Sequence, residues 1–184
     1  MRTIGEAIPE DWSPNGRDVL LSARTEGKSW DLMRLAMPNA SRLEPWLATD
    51  FNESHGRFSP DGTWVAYDSD ETGSLQIYVR SFPKPDVWRR VTTSGGIRPV
   101  WSRDGKELFY RDPRAHLMAI PIRTPQMLES GAPREVFPVA NSFVFGFSNY
   151  DVDPQGRFLL DLLDRSPESS TASIVLNWPT LVRR

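Results

Sequence analysis

Apolar and polar positions along the chain fall into short strand-like segments. Leu75-Gln-Ile-Tyr-Val-Arg-Ser-Phe82 alternates with a period of two. Val19-Leu20-Leu21, Trp64-Val65-Ala66-Tyr67, Leu108-Phe109-Tyr110 and Phe158-Leu159-Leu160 are short apolar runs bounded by turn residues. No stretch of about 12 residues or more has helical periodicity with caps. The pattern predicts an almost wholly β chain.

The segments recur. Trp12-Ser-Pro-Asn-Gly16 returns as Phe58-Ser-Pro-Asp-Gly62, as Trp101-Ser-Arg-Asp-Gly105 and, more loosely, as Val152-Asp-Pro-Gln-Gly156. The glycines lie 46, 43 and 51 residues apart, close to the ~40–45-residue period of a four-stranded propeller blade. In each copy an aromatic or aliphatic residue ends a strand. Ser then accepts a local hydrogen bond, Pro presets φ, and Gly permits the left-handed conformation that closes the hairpin. Second strands are predicted over residues 17–22, 63–68, 106–111 and 157–162. Third strands follow over 30–37, 75–82, 117–123 and 173–178, and fourth strands over 45–49, 88–93 and 134–139. Residues 124–133, with Pro125, Gly131 and Pro133, read as an irregular insert, and 164–171 as an exposed loop.

Phe58-Ser-Pro-Asp-Gly-Thr-Trp-Val-Ala-Tyr67, followed by Ile77-Tyr-Val79, resembles the WD40-like PD40 repeat of TolB-type β-propellers. Trp101-Ser-Arg-Asp-Gly-Lys-Glu-Leu-Phe-Tyr110 fits the same pattern with Arg103 for the usual Pro. The first copy has Asn15 for Asp; the fourth has Asp153 for Ser and Gln155 for Asp. The resemblance implies an all-β propeller of about four four-stranded antiparallel blades, approximately 6–49, 50–93, 94–140 and 141–184. Leu117-Met-Ala-Ile-Pro-Ile122 and Ile174-Val-Leu-Asn-Trp178 are similar to the C-terminal propellers of bacterial eukaryotic-like serine/threonine kinases. That likeness implies a sensor or interaction module on a signalling enzyme, in a periplasmic or extracytoplasmic setting.

Four repeats fall short of most rings of this type, within a general range of roughly 4–8 blades. The expectation is a partial propeller, the C-terminal part of a larger one. A half-propeller that self-associates, and a closed four-bladed ring completed by residues 6–9, are the alternatives.

Composition narrows the chemistry. Lys+Arg is 22 against Asp+Glu 24, a net charge of −2, which argues against a nucleic-acid partner. Cys is 0, so disulfides, thiolate metal sites and cysteine nucleophiles are excluded; His is only 2. No apolar segment is long enough to cross a bilayer, and residues 1–10 have no signal-peptide core.

Each candidate site has a plainer reading. Asp61 and Asp104 fit turn chemistry. Asp68, Asp70 and Glu71 with Gly73 lack EF-hand spacing and read as a solvated hairpin turn. Asp151 and Asp153 alternate on one strand face, where a turn-flanking role competes with a paired-carboxylate site. His55 and His116 are placed in loops without partners at metal-ligand spacing. Gly146-Phe-Ser-Asn-Tyr150 lacks the last Gly of a nucleophile elbow, and Tyr110-Arg-Asp112 lacks the Lys and Asn of a kinase catalytic loop. Arg89, Arg90, Arg98 and Arg103 form a basic cluster for an acidic partner or a solvated surface. Trp12 and Trp101 share a blade position and suit inter-blade packing.

No catalytic, cofactor-binding or metal residue is therefore assigned. The expected function is a non-catalytic module that presents its rim to a protein, peptide or glycan. Its other expected partners are the remaining blades of a parent protein, or a second copy. The alternatives are the substrate-gating propeller of a prolyl-oligopeptidase-type peptidase and a propeller hydrolase, whose channel mouth would gather carboxylates or histidines from several blades.

Overall fold

The computed structural model describes residues 4–25, 29–37, 42–123, 129–139 and 150–160. Among these every regular element is a strand. Strands β1 (Ile4–Trp12), β2 (Asp18–Thr25), β3 (Trp30–Ala36) and β4 (Leu43–Leu47) form one antiparallel sheet in chain order. Strands β5 (Glu53–Phe58), β6 (Trp64–Ser69), β7 (Gln76–Ser81) and β8 (Trp88–Arg90) form the second. The third contains β9 (Ile97–Trp101), β10 (Glu107–Arg111), β11 (His116–Arg123) and β13 (Arg134–Pro138), with β12 (Glu129–Ser130) added beside β11. Strands β14 (Tyr150–Val152) and β15 (Phe158–Leu160) open a fourth sheet.

The expected second and third strands of the first three copies overlie β2, β6, β10 and β3, β7, β11. Among the fourth strands, β13 falls where expected, β4 begins two residues early, and β8 is shorter than predicted. Strand 173–178 and loop 164–171 lie outside the described residues. The insert at 124–133 differs from the expectation. Glu129 and Ser130 pair with Arg123 and Ile122, so part of it forms a fifth strand; residues 124–128 are outside the described set.

The repeated tetrapeptide makes a glycine-closed turn each time, identical in its backbone bonds in the first three copies. Gly16, Gly62, Gly105 and Gly156 all have φ between +71° and +76°, a conformation in which a Cβ is unfavourable. Ser13, Ser59 and Ser102 each accept the backbone N–H five residues on, at 2.9–3.0 Å. Ser59 and Ser102 donate to Asp61 and Asp104, and Ser13 to Asn15. In the fourth copy Asp153 stands at the serine position but accepts the N–H groups of Gln155 and Arg157, two and four residues on, and its own N–H donates to the Arg157 carbonyl. With a carboxylate at the first position the left-handed glycine is kept in a turn one residue shorter.

First strands β1, β5, β9 and β14 touch in succession and form the inner side of the arc. The core lies between sheets. Leu20, Leu32 and Trp46 pack on Phe58, Val65, Tyr67 and Tyr78. The far face of that second sheet, with Trp64, Ala66, Ile77 and Val79, packs on Trp101, Leu108, Tyr110 and Ile120. Val100, Phe109, Leu117 and Phe137 in turn pack on Tyr150, Val152, Phe158 and Leu160. All six residues of β6 are buried, which explains its continuous apolar run: both its faces meet a neighbouring sheet. Trp101 is buried and donates its indole N–H to the Arg57 carbonyl at 3.1 Å, tying sheet three to sheet two. Trp12 holds the same position in sheet one but is 55% exposed, so the packing role expected of both tryptophans is filled by Trp101.

Glu53 is buried at the start of β5, where it accepts the hydroxyl and the backbone N–H of Thr49 from the connection between the first two sheets. Burial raises its carboxyl to about 7; the Thr49 bonds oppose this, Asp31 reinforces it and Arg80 opposes it. Folding therefore holds a proton between the ordinary carboxylate range and about pH 7. The stability this provides is complete at low pH and lost as pH rises through about 7. Glu53→Gln, which mimics the protonated acid, is expected to remove this term. Relative to wild type it gains on the order of 3 kcal/mol in urea unfolding on going from pH 5 to pH 8. Packing gives a second expectation. A Cβ on Gly96 would lie 2.9 Å from Ile77 Cγ1 and 3.0 Å from Tyr110 Cδ2, between sheets two and three. Gly96→Ala should cost about 1–3 kcal/mol, read as a lower denaturation midpoint.

Candidate functional site

The inner strands bring together two polar regions. At the turn end, a groove of about 380 Å³ crosses all four repeats. Asp11, Arg57, Val100 and Asp151 occupy the same place in β1, β5, β9 and β14, one residue before the strand-ending Trp12, Phe58, Trp101 and Val152, and all four line the groove. Trp12, Pro14, Pro60 and Arg103 complete its rim.

Its charges are largely employed in joining sheets. Asp11 accepts the Phe58 N–H at 2.8 Å, and Arg57 donates to the Glu10 carbonyl at 2.8 Å while lying 4.0 Å from Asp11. Arg103 donates to the Val152 carbonyl at 3.0 Å and pairs with Asp151 at 3.4 Å. Burial holds the Asp11 carboxyl above its usual range. The Phe58 N–H and Arg57 oppose that shift, and Asp151 pushes it further up.

The second region centres on Asp68, which is fully buried. Its carboxylate accepts Ser54 Oγ at 2.8 Å, lies 2.8 Å from His55 Nδ1 and accepts the Arg98 backbone N–H of the next sheet at 2.8 Å. One repeat earlier Ser22 Oγ accepts the His55 N–H at 3.3 Å and donates to Glu10 at 2.5 Å. His55 and Arg98 sit at equivalent positions, and both have φ of +55°, a left-handed conformation that costs of order 1–3 kcal/mol outside glycine. In each case the acceptor on the preceding sheet captures the N–H that this conformation presents. Tyr150, whose hydroxyl donates to the Arg98 carbonyl at 2.8 Å, extends the network to the fourth sheet; burial raises its phenol far above the usual range.

Ser54, His55 and Asp68 have the composition of a hydrolytic triad but a different connectivity. Serine and imidazole both engage the same carboxylate, so this contact does not place the serine hydroxyl on the histidine for deprotonation.

Several expectations change. Asp68 is no part of a solvated turn, because its side chain points into the inter-sheet network. Asp70 accepts the backbone and amide N–H groups of Asn52. His55 and His116 stand in β5 and β11 instead of loops, and His116 lies 3.0 Å from Glu135. Asp151 and Asp153 separate, one to the groove and one to the turn. The four arginines disperse: Arg89 and Arg90 to the outer strand β8, Arg98 to the inner β9, Arg103 to a turn. Asp61 and Asp104 take their turn bonds. Burial opposes the shift at Asp61, but Ser59 and Thr63 hold its carboxyl below the usual range; Ser102 and Lys106 do the same for Asp104. Tyr110 is core, and Asp112 caps a turn through the N–H groups of Arg114 and His116. Residues 146–149 are outside the described set, and Tyr150 begins β14. Among the described residues no group of three or more His, Cys, Asp or Glu could hold a metal ion, and no helix is long and apolar enough to cross a membrane.

Asp11, Arg57, Ser22 and Glu53 were not singled out from the sequence. The signal for the groove was available in the column before the strand-ending residue, which reads Asp, Arg, Val, Asp while the column after it, Trp, Phe, Trp, Val, stays apolar.

No family model matches the chain. An uncharacterized protein of Agrobacterium fabrum is 33% identical over 103 residues, covering 54% of this chain and 33% of that protein. The structure of a putative TolB from Agrobacterium tumefaciens superposes with a TM-score of 0.60 at 18% identity, over 72% of this chain and 49% of that one. TolB from Acinetobacter baumannii gives 0.60 at 21% identity, over 84% and 39%. The fold is a TolB-like β-propeller. The chain spans about a third to a half of the length of these proteins.

Replacing Asp68 by Ala leaves Ser54, His55 and the Arg98 N–H without their buried acceptor. The expected loss is about 3–5 kcal/mol in chemical denaturation, and Asp68→Asn, which keeps an acceptor oxygen, should lose less.

Proposed function

We propose that this propeller is a non-catalytic binding module whose ligand, a peptide, protein loop or glycan, lies in the groove across the four inner strands. The observation that carries the reading is the groove itself: about 380 Å³, crossing all four repeats, with Asp11, Arg57 and Asp151 along its lining and the core residue Val100 at the same place in β9. A strand column that changes charge from blade to blade supplies specificity without altering the core. The charged pairs that line it are anchored through backbone groups, so the surface is preformed and recognition costs little ordering. The triad-like set Ser54, His55 and Asp68 is engaged in holding sheets together. By its resemblance to kinase-attached and envelope propellers, the module serves as the sensing or docking part of a larger bacterial signalling or envelope protein. The peptidase and hydrolase readings are tested by the same experiment.

Immobilised peptide and glycan arrays probed with wild type, Arg103→Glu and Asp151→Arg test this. Both side chains are more than half exposed, so reversing them leaves the core intact. The expected result is a set of ligands bound by wild type and weakened about tenfold or more in both variants, with no turnover of any bound compound. Turnover lost in Asp11→Asn would favour a hydrolase, and binding indifferent to all these changes would remove the groove from the account.

A further inference from the structure

The outer edge of the second sheet is unlike the others. Strand β8 is short, and its three residues Trp88, Arg89 and Arg90 are all exposed. Strand β4 carries Pro45 in its interior, which blunts an edge; β8 has no proline. Its register with β7 pairs Trp88 with Arg80, Arg89 with Val79 and Arg90 with Tyr78. Ser81 N–H donates to the Val87 carbonyl at 2.8 Å, and Val91 N–H to the Ile77 carbonyl at 2.7 Å. Antiparallel alternation then turns the peptide groups of residues 87, 89 and 91 inward. The N–H and C=O of Trp88 and Arg90 face outward, where a further strand would pair.

The side chains along this edge are chemically selective. Trp88 and Arg90 lie on one face of β8, Val87 and Arg89 on the other, so each face offers one large apolar group and one guanidinium. Trp88 is 51% exposed and Val87 55%. The edge is also held in place. The Arg80 guanidinium lies over the Trp88 ring at 5.3 Å and donates to Tyr67 Oη and the Pro85 carbonyl, while Ser81 Oγ donates to the Lys84 carbonyl. Over residues 82–90 the cations are Lys84, Arg89 and Arg90 and the only anion is Asp86.

We propose that the β8 edge is a docking site for an extended acidic segment of a partner protein, which adds as a strand beside Trp88–Arg90. Its carboxylates would meet Arg89 and Arg90, and its apolar side chains Val87 and Trp88. The same two arginines repel a basic strand or a second copy of this edge, so protection against edge-to-edge association and selection of an acidic partner come from one feature. This site lies on the outer rim and does not depend on a ligand in the inner groove.

The test uses a fluorescent octapeptide of alternating glutamate and valine, with the lysine–valine peptide as control. Wild type is expected to bind the acidic peptide at micromolar concentration, with affinity falling as salt rises and about tenfold or more lost in Arg89→Glu/Arg90→Glu. Backbone exchange on wild type gives a readout that needs no variant: the Trp88 and Arg90 amides should become protected when the peptide is added. Equal binding of the lysine peptide, retained affinity in the folded double variant, or unchanged exchange at Trp88 and Arg90 would each overturn the proposal.

Discussion

Every other feature of this molecule depends on the packing of one sheet's far face on the next sheet's near face. A four-stranded sheet of short strands buries little alone. Here each sheet gains its core by sharing it, so that Trp64 and Ala66 of the second sheet belong to one cluster while Val65 and Tyr67 of the same strand belong to another. Stability is then a property of neighbouring pairs of sheets, as in other repeat proteins. The polar groups at the inner end make the pairing specific. Ser22 and Asp68 accept the N–H groups of His55 and Arg98 from the following sheet, and they do so at equivalent places.

That constraint also decides where recognition can reside. Apolar positions facing a neighbouring sheet cannot vary without opening a cavity or a clash. In three repeats the residue just before the strand end, Asp11, Arg57 or Asp151, is free of this demand because it lines the groove, whereas Val100 at the same place in β9 also packs in the core between sheets three and four. Asp11, Arg57, Val100 and Asp151 are accordingly different in charge and size within one structural column. Asp11 and Arg57 bond backbone groups of the adjacent sheet, and Asp151 pairs with Arg103 of the sheet before it, which links the two roles. The groove is rigid because its walls are also the joints.

Much of the architecture was legible in the sequence. Ser-Pro-Asp-Gly and its variants fixed the turns, since a left-handed glycine and a serine that accepts an N–H five residues on are local requirements. The apolar runs placed the second and third strands for the same reason. What lay beyond reading was side-chain direction where the chain bulges. Asp68 looked like the start of a polar turn with Asp70 and Glu71, but its side chain enters the inter-sheet network because His55 and Arg98 adopt φ of +55°, and no residue type announces that. Arg89, Arg90, Arg98 and Arg103 looked like one basic patch because they are close in sequence. The connection over 91–96 runs from the outer strand of the second sheet to the inner strand of the third and separates them. The groove's column required aligning the repeats with one another, position by position.

The central claim is that the sheets are latched to one another and open together. Native-state hydrogen exchange of backbone amides tests it most directly. The His55, Phe58 and Arg98 N–H groups each cross a sheet boundary, whereas those of Val65 and Ile77 stay within one repeat, Val65 in the ladder and Ile77 donating to Thr92 Oγ1. The account predicts that all five exchange through one common opening, with a shared free energy and a shared response to denaturant. Exchange of His55, Phe58 and Arg98 at much lower free energies than Val65 and Ile77 would mean that the sheets are independently stable and that the latches hold nothing.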